Sequence, residues 1–181
     1  MSANPIIDAS VTTFLKNRQW ADDAIAQVDD ERLKISLHAE TNSIAVIMKH
    51  VAGNLLSRWT NFLTEDGEKP WRDRDAEFVD TFADREQLLA YWNDGWQCLT
   101  ATLASLSDED LSRTVLIRGE ELSVAQALQR SLGHTCYHIG QIIMLARCVC
   151  QGEWKTLTIP RGASKEHNSA VWGSEQYRSQ S

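Results

Sequence analysis

Two histidines four residues apart, His134 and His138, interrupt an otherwise apolar helical stripe late in the chain. Side chains at i and i+4 lie about 40° apart around a helix axis and about 6 Å apart along it. Both imidazoles can therefore address one ion from a single helix face. The Glu of a zincin HExxH is missing from His134-Thr135-Cys136-Tyr137-His138, which argues against a zinc protease. A hydrogen-bonded pair of core histidines accounts for the same spacing. A third histidine, His50, falls midway along another helical segment, on the flank of its apolar stripe, with Asn54 and Arg58 at i+4 and i+8. Packing of the two segments would bring three imidazoles together. That donor set suits Zn²⁺, Ni²⁺, Cu²⁺ or Fe²⁺ better than the oxygen-seeking Mg²⁺ and Ca²⁺. Three protein ligands also leave one coordination position to a substrate, as catalytic sites do.

Other polar residues sit near these three. Arg130, one turn before His134, and Arg58 are candidates for holding an anionic group, with ordinary ion pairs as the competing reading. Asn54 and Gln141 lie one turn from candidate ligands and are placed to orient imidazole N–H groups. Cys136 points about 160–200° away from the two helix-mates, and Cys148 lies about 15 Å beyond His138, so both read as small core residues. His38 reads as a surface or packing residue in a connection. His167 belongs to a tail that can fold over the site.

Four helical segments must position this chemistry. The first runs from Ile7 to Val28, with Val11, Phe14, Ala21 and Ile25 at three- and four-residue steps. The second runs from Asn42 to Leu63, with Ile44, Ile47, Val51, Leu55 and Phe62 as its stripe. Asp84, with Gln87 three residues on, predicts the start of a third, whose seam is Trp92, Trp96, Leu99, Leu103 and Leu106. Ser123 with Gln126 forms a capping box that opens a fourth, extending to Gln151. Thr114–Leu122 reads as a short hairpin turning at Gly119-Glu120. The link from Thr64 to Ala83 is long for a compact domain, which marks it as functional or as a crossover spanning the helices. Its Trp71, Arg72, Arg74 and Asp75 are candidates to close over the site mouth. Gly152–Ser181 reads as an irregular tail, frayed at its end. The fold class is all-α: one domain, 1–181, built as a four-helix bundle.

The composition excludes several roles. Among 181 residues there are 25 acidic and 18 basic, a net charge of −7, which disfavours binding to nucleic acid or anionic membrane. The longest clean apolar run, Ile44–Met48, is far short of a membrane span. The N-terminal residues show no secretory pattern, and Cys98, Cys136, Cys148 and Cys150 have no CxxC spacing. A reduced, cytoplasmic protein is expected.

With a His on the second helix, an HxxxH on the fourth and this length, the sequence resembles the DinB/YfiT-like metalloenzyme superfamily. The run KHVAGNLLSRWTNFLTEDGEKPWRDRDAEF, Lys49 to Phe78, closely resembles a bacterial branch of unknown function within it. So do Gly95-Trp96, Ile117-Arg118-Gly119-Glu120, GHTCYHIGQI from Gly133 to Ile142, and LTIPRGAS from Leu157 to Ser164. The resemblance implies a four-helix bundle, a homodimer, and a divalent metal on His50, His134 and His138, with zinc or nickel foremost. Some relatives are transferases or isomerases that use bacillithiol, mycothiol or glutathione. The corresponding expectation is transfer of a low-molecular-weight thiol to a small electrophile. A metal-dependent hydrolase and a non-catalytic dimeric stress or interaction module are the alternatives.

Overall fold

A computed structural model describes residues 5–172. These residues are mostly helical, with six helices and one two-stranded sheet. The four long helices are α1 (Pro5–Ile25), α3 (Ile44–Trp59), α4 (Arg85–Ser105) and α5 (Val124–Val149). A short α2 (Asp30–Leu33) follows α1, and its N-terminus is capped by the Asp29 side chain. No helix among the described residues is long and apolar enough to cross a membrane. The chain divides into two compact units between Gln151 and Gly152.

The helix starts follow the sequence signals closely. Asp84 accepts from Gln87 N at 2.9 Å to open α4, and Ser123 and Gln126 form the full reciprocal capping box at the start of α5. Ser43 caps α3 by accepting from Val46 N at 3.3 Å. The expected stripes on α3 and α4 are buried throughout, from Ile44 to Phe62 and from Trp92 to Leu106. α3 is also buried well beyond its stripe, including His50, Asn54, Ser57 and Arg58. Such all-round burial places α3 centrally, against both α4 and α5.

The directions of the helices follow from cross-helix contacts. Gly95 lies against the Ala52 backbone, Thr102 Oγ1 donates to Trp59 O at 2.9 Å, and Thr60 Oγ1 meets Cys98 Sγ at 3.5 Å. Numbers rise together along both helices, so α3 and α4 run parallel. The connecting link must therefore travel back along their length, which explains why it is long. α3 and α5 are antiparallel: His50 meets His134 and His138, while Trp59 Nε1 donates to Ser131 Oγ at 3.2 Å. α1 packs on α5, and meets α4 through Arg18–Asn93 and Trp92–Asp22.

The hairpin consists of β1 (Thr114–Ile117) and β2 (Glu120–Ser123), antiparallel with Ile117 opposite Glu120. Its turn is thus Arg118-Gly119, one residue earlier than expected. Both have positive φ, 58° and 74°, the signature of a type I′ turn. Asp66 of the link compensates the non-glycine residue by accepting from Arg118 N at 2.8 Å and Gly119 N at 2.7 Å. Gly67 N donates to Leu116 O at 2.8 Å, so link and hairpin are laced together.

Three further expectations need correction. Cys148 is exposed and Cys136 half-buried, because the buried side of α5 runs through Leu128, Thr135, Ile139 and Ala146. The stretch after Gln151 is not wholly irregular: in the second unit a turn at Pro160–Ala163 leads into α6 (Ser164–Trp172), a run free of Gly and Pro. Residues 173–181, expected to fray, lie outside the described residues. Finally, Val11 on α1 is only half-buried.

The closeness of α3 and α4 generates a test. A Cβ on Gly95 would stand 2.8 Å from Ala52 Cα, a backbone atom that cannot move aside locally. Gly95→Ala is expected to destabilise the protein by about 1–3 kcal/mol. Gly140→Ala on α5, with open space around its Cβ, is expected to stabilise by about 0.5–1 kcal/mol through helix propensity. Urea unfolding of both variants checks the pair of signs.

Candidate metal centre

His50 from the middle of α3 and His134 and His138 from the middle of α5 come together, as the sequence spacing expects. Their donor atoms lie within 4.8 Å of one another. His50 Nε2 and His134 Nε2 are 3.2 Å apart. Two nitrogens bound tetrahedrally to one zinc at 2.0–2.1 Å would be about 3.3 Å apart, so this pair already has ligand spacing. His50 and His138 are buried, and His134 is half-buried.

The partners of the outer ring nitrogens set the tautomers. His50 Nδ1 donates to Glu77 Oε2 at 2.8 Å, and His138 Nδ1 donates to Gln141 Oε1 at 3.0 Å. Both rings then carry their lone pair on Nε2. His138 Nε2 is buried without a hydrogen-bond partner, a costly state for a polar atom unless something coordinates it. The carboxylate–histidine contact is the arrangement that orients ligating imidazoles and raises their basicity. Three imidazole nitrogens, two of them on rings with fixed tautomers, fit a borderline divalent ion. The cluster is thus compatible with a metal site.

The electrostatics keep two of these rings neutral. Burial, then the neighbouring His138 and His50, pushes His134 down to about 3. Burial and His50 push His138 down to about 4. Burial alone would raise Glu77, but the hydrogen bonds from His50 and Arg72 outweigh it and hold the carboxyl below its usual range.

The link supplies this carboxylate. Glu77 lies in a single 3-10 turn, Ala76–Phe78, and is buried. Arg72 of the same link clamps it through Nε at 2.7 Å and Nη2 at 2.9 Å. Gly53 makes the space: a Cβ there would run into Glu77 Oε1. Lys49, the residue before His50, pins the link from the other side by donating to Ala76 O, Val79 O and Thr81 Oγ1 at 2.7–2.8 Å. Phe78 stacks on His50 with ring centroids 5.0 Å apart. The three histidines and Phe78 line a cavity of about 300 Å³, with Trp59, Phe62 and Tyr137 among its walls.

The other sequence candidates divide. Gln141 does hold a ligand-candidate imidazole. Asn54 is buried in the cavity wall, but Glu77, not Asn54, takes the His50 N–H. Arg58 is committed to Gly67 O and to Glu68 Oε2 at 2.9 Å. Arg130 lines the cavity and pairs with Glu120 at 2.9 Å. Of the link residues, Arg72 and Arg74 line the cavity, whereas Trp71 and Asp75 are exposed and do not. His38 is exposed, and His167 lies in α6 of the second unit. Glu77 and Arg72 were missed as a pair because a carboxylate in an aperiodic link carries no positional signal. A possible cue was that the link is rich in charge on both signs.

A mostly helical chain presenting three converging imidazoles from two helices is the class that fold and site define. The chain belongs to the family described as Protein of unknown function (DUF1572), which it matches over residues 2–163. No curated protein and no solved structure matches it.

The depressed histidines predict a pH dependence of the metal-free protein. The unfolded chain takes protons on His134 and His138 near pH 6.5, while the folded chain takes them only near pH 3–4. Stability is therefore complete above about pH 6.5 and falls as pH drops through that window. Urea midpoints between pH 7 and pH 4.5 should fall for the native sequence and flatten in a His134→Asn/His138→Asn variant.

Proposed function

We propose that this chain is a DinB-like four-helix bundle in which His50, His134 and His138 hold one divalent transition metal, zinc or nickel. The observation that carries this reading is the convergence of three imidazoles, two with their Nε2 lone pairs fixed by Glu77 and Gln141, beside a cavity. We further propose that the site transfers a low-molecular-weight thiol to a small electrophile. The resemblance to thiol-dependent transferases, together with the cavity that the three histidines line, supports this chemistry over a purely structural metal. A homodimer in the reducing cytoplasm completes the reading, in keeping with four cysteines free of disulfides.

A divalent ion held by His50, His134 and His138 would supply positive charge that favours the deprotonated form of a thiol near neutral pH. The chain's own residues do the rest. Glu77 and Gln141 hold the His50 and His138 rings in register. Arg72 keeps Glu77 ionised and fixed. Phe78, Trp59 and Phe62 form an apolar wall that limits water around the reacting group. Tyr137, packed on His138 with centroids 4.0 Å apart, flanks the same ring.

Elemental analysis of protein loaded with zinc or nickel is expected to find one ion per chain, and none after His138→Asn. Glu77→Gln, which removes the charge facing the buried Arg72, should lower the thermal midpoint and, in protein shown folded by circular dichroism, weaken metal affinity by about 10- to 100-fold, read by competition with a chromogenic chelator. The loaded protein should consume glutathione, bacillithiol or mycothiol in the presence of a chloronitroarene. Loss of none of these activities on His138→Asn, or metal binding without any thiol consumption, would overturn the transferase assignment.

A further inference from the structure

The cavity beside the histidines carries a charge opposite to that of the chain. The protein has a net charge of −7, yet five arginines line the cavity, Arg58, Arg72, Arg74, Arg118 and Arg130, and no Asp or Glu does. Three carboxylates stand behind them. Glu68 is shared by Arg58 and Arg118, each at 2.9 Å, and by Arg72 at 3.7 Å. Glu77 is divided between Arg72 and His50. Glu120 meets Arg130, but the two side chains are 62% and 47% exposed, so the pair is screened and readily exchanged.

One guanidinium is left incompletely satisfied, and a second has no carboxylate partner. Arg72 is 2% exposed, and its Nη1 has no hydrogen-bond partner. Arg74 has no carboxylate within ion-pair distance among the described residues; its guanidinium lies 5.6 Å from the Phe78 ring centroid, on the residue that stacks on His50. Asp66 adds a fourth carboxylate, spent on the Arg118 and Gly119 amides, so five cations face four anions, one of which also serves His50, and a surplus of positive charge remains. A divalent ion at the histidines would add to it. A cleft lined by one sign of charge draws in ions of the other, and no carboxylate lines the cavity.

We propose that the cavity binds a small organic acid, its carboxylate held by the exposed arginines Arg74, Arg118 and Arg130 and its other end directed to the histidines. Guanidinium groups match carboxylates by geometry as well as charge. The aromatic walls favour an organic body over a bare inorganic anion. Three elements supply these arginines: the link carries Arg74, the hairpin turn Arg118 and α5 Arg130. The left-handed Arg118, held by Asp66, is thereby placed at the cavity. The inference deepens the proposed function, because only the far end of the acid relies on a metal at the histidines.

The test is calorimetric titration of the full chain, metal-free and cobalt(II)-loaded, with 3-mercaptopropionate and with its uncharged amide. The acid is expected to bind at least about tenfold tighter than the amide. That advantage should shrink in Arg74→Gln/Arg130→Gln and on raising salt from about 50 to about 500 mM, with circular dichroism melts showing the variant folded. Equal affinities for acid and amide, an advantage that survives the double substitution, or no binding of either probe to either form would overturn the proposal. Failure of the metal reading is distinguishable. It would appear as absence of a His138-dependent cobalt absorption band, while the acid-to-amide ratio in metal-free protein still reports on the arginines.

Discussion

A carboxylate buried between an imidazole and a guanidinium is the contact on which the rest of this structure depends. Glu77 sits between His50 at 2.8 Å and Arg72 at 2.7 Å, and both Glu77 and Arg72 are almost fully shielded from water. Buried charges persist only when paired and hydrogen-bonded, and removing one partner strands the others. The triad therefore fixes two things together. It locks the crossover link onto α3, and it fixes which nitrogen of His50 faces the other two histidines. Gly53 belongs to the same constraint, since any side chain there would displace Glu77.

The parallel course of α3 and α4 explains why such a link exists. Antiparallel helices can be joined by a short turn, whereas parallel ones require the chain to return along their length. The returning segment here is not an idle strap. Lys49, Ser57 and Arg58 of α3 hold it by its backbone oxygens, and Asp66 reaches from it to the hairpin turn. The link thus becomes one wall of the cavity. It supplies Arg72 and Arg74, two of the five arginines that line the cavity of a chain that is acidic overall.

Much of this was legible in the sequence, for identifiable reasons. Helix existence followed from apolar periodicity, and the starts of α4 and α5 followed from side-chain caps that act within three residues. The pairing of His134 with His138 is likewise local, a consequence of helical pitch. His50 joining them is not local, and the sequence suggested it only through a polar file, His50-Asn54-Arg58, on a helix otherwise destined for burial. What stayed hidden was set by tertiary geometry. Glu77 and Arg72 lie in a segment with no period, so nothing local marks one carboxylate among several as the buried one. The hairpin turn fell one residue early because Asp66, distant in sequence, stabilises a left-handed Arg118. α5 buries a broader face than its stripe because it meets both α1 and α3.

The central claim is that the three imidazoles form one coordination site. A crystal structure of the zinc- or nickel-loaded protein, with data collected above and below the metal absorption edge, tests it most directly. The account predicts a single anomalous peak about 2.0–2.2 Å from the Nε2 atoms of His50, His134 and His138, with a further ligand reaching it from the cavity and Glu77 still bonded to His50. A loaded crystal with its peak elsewhere, or with His50 and His134 still hydrogen-bonded to each other and no ion between them, would contradict it.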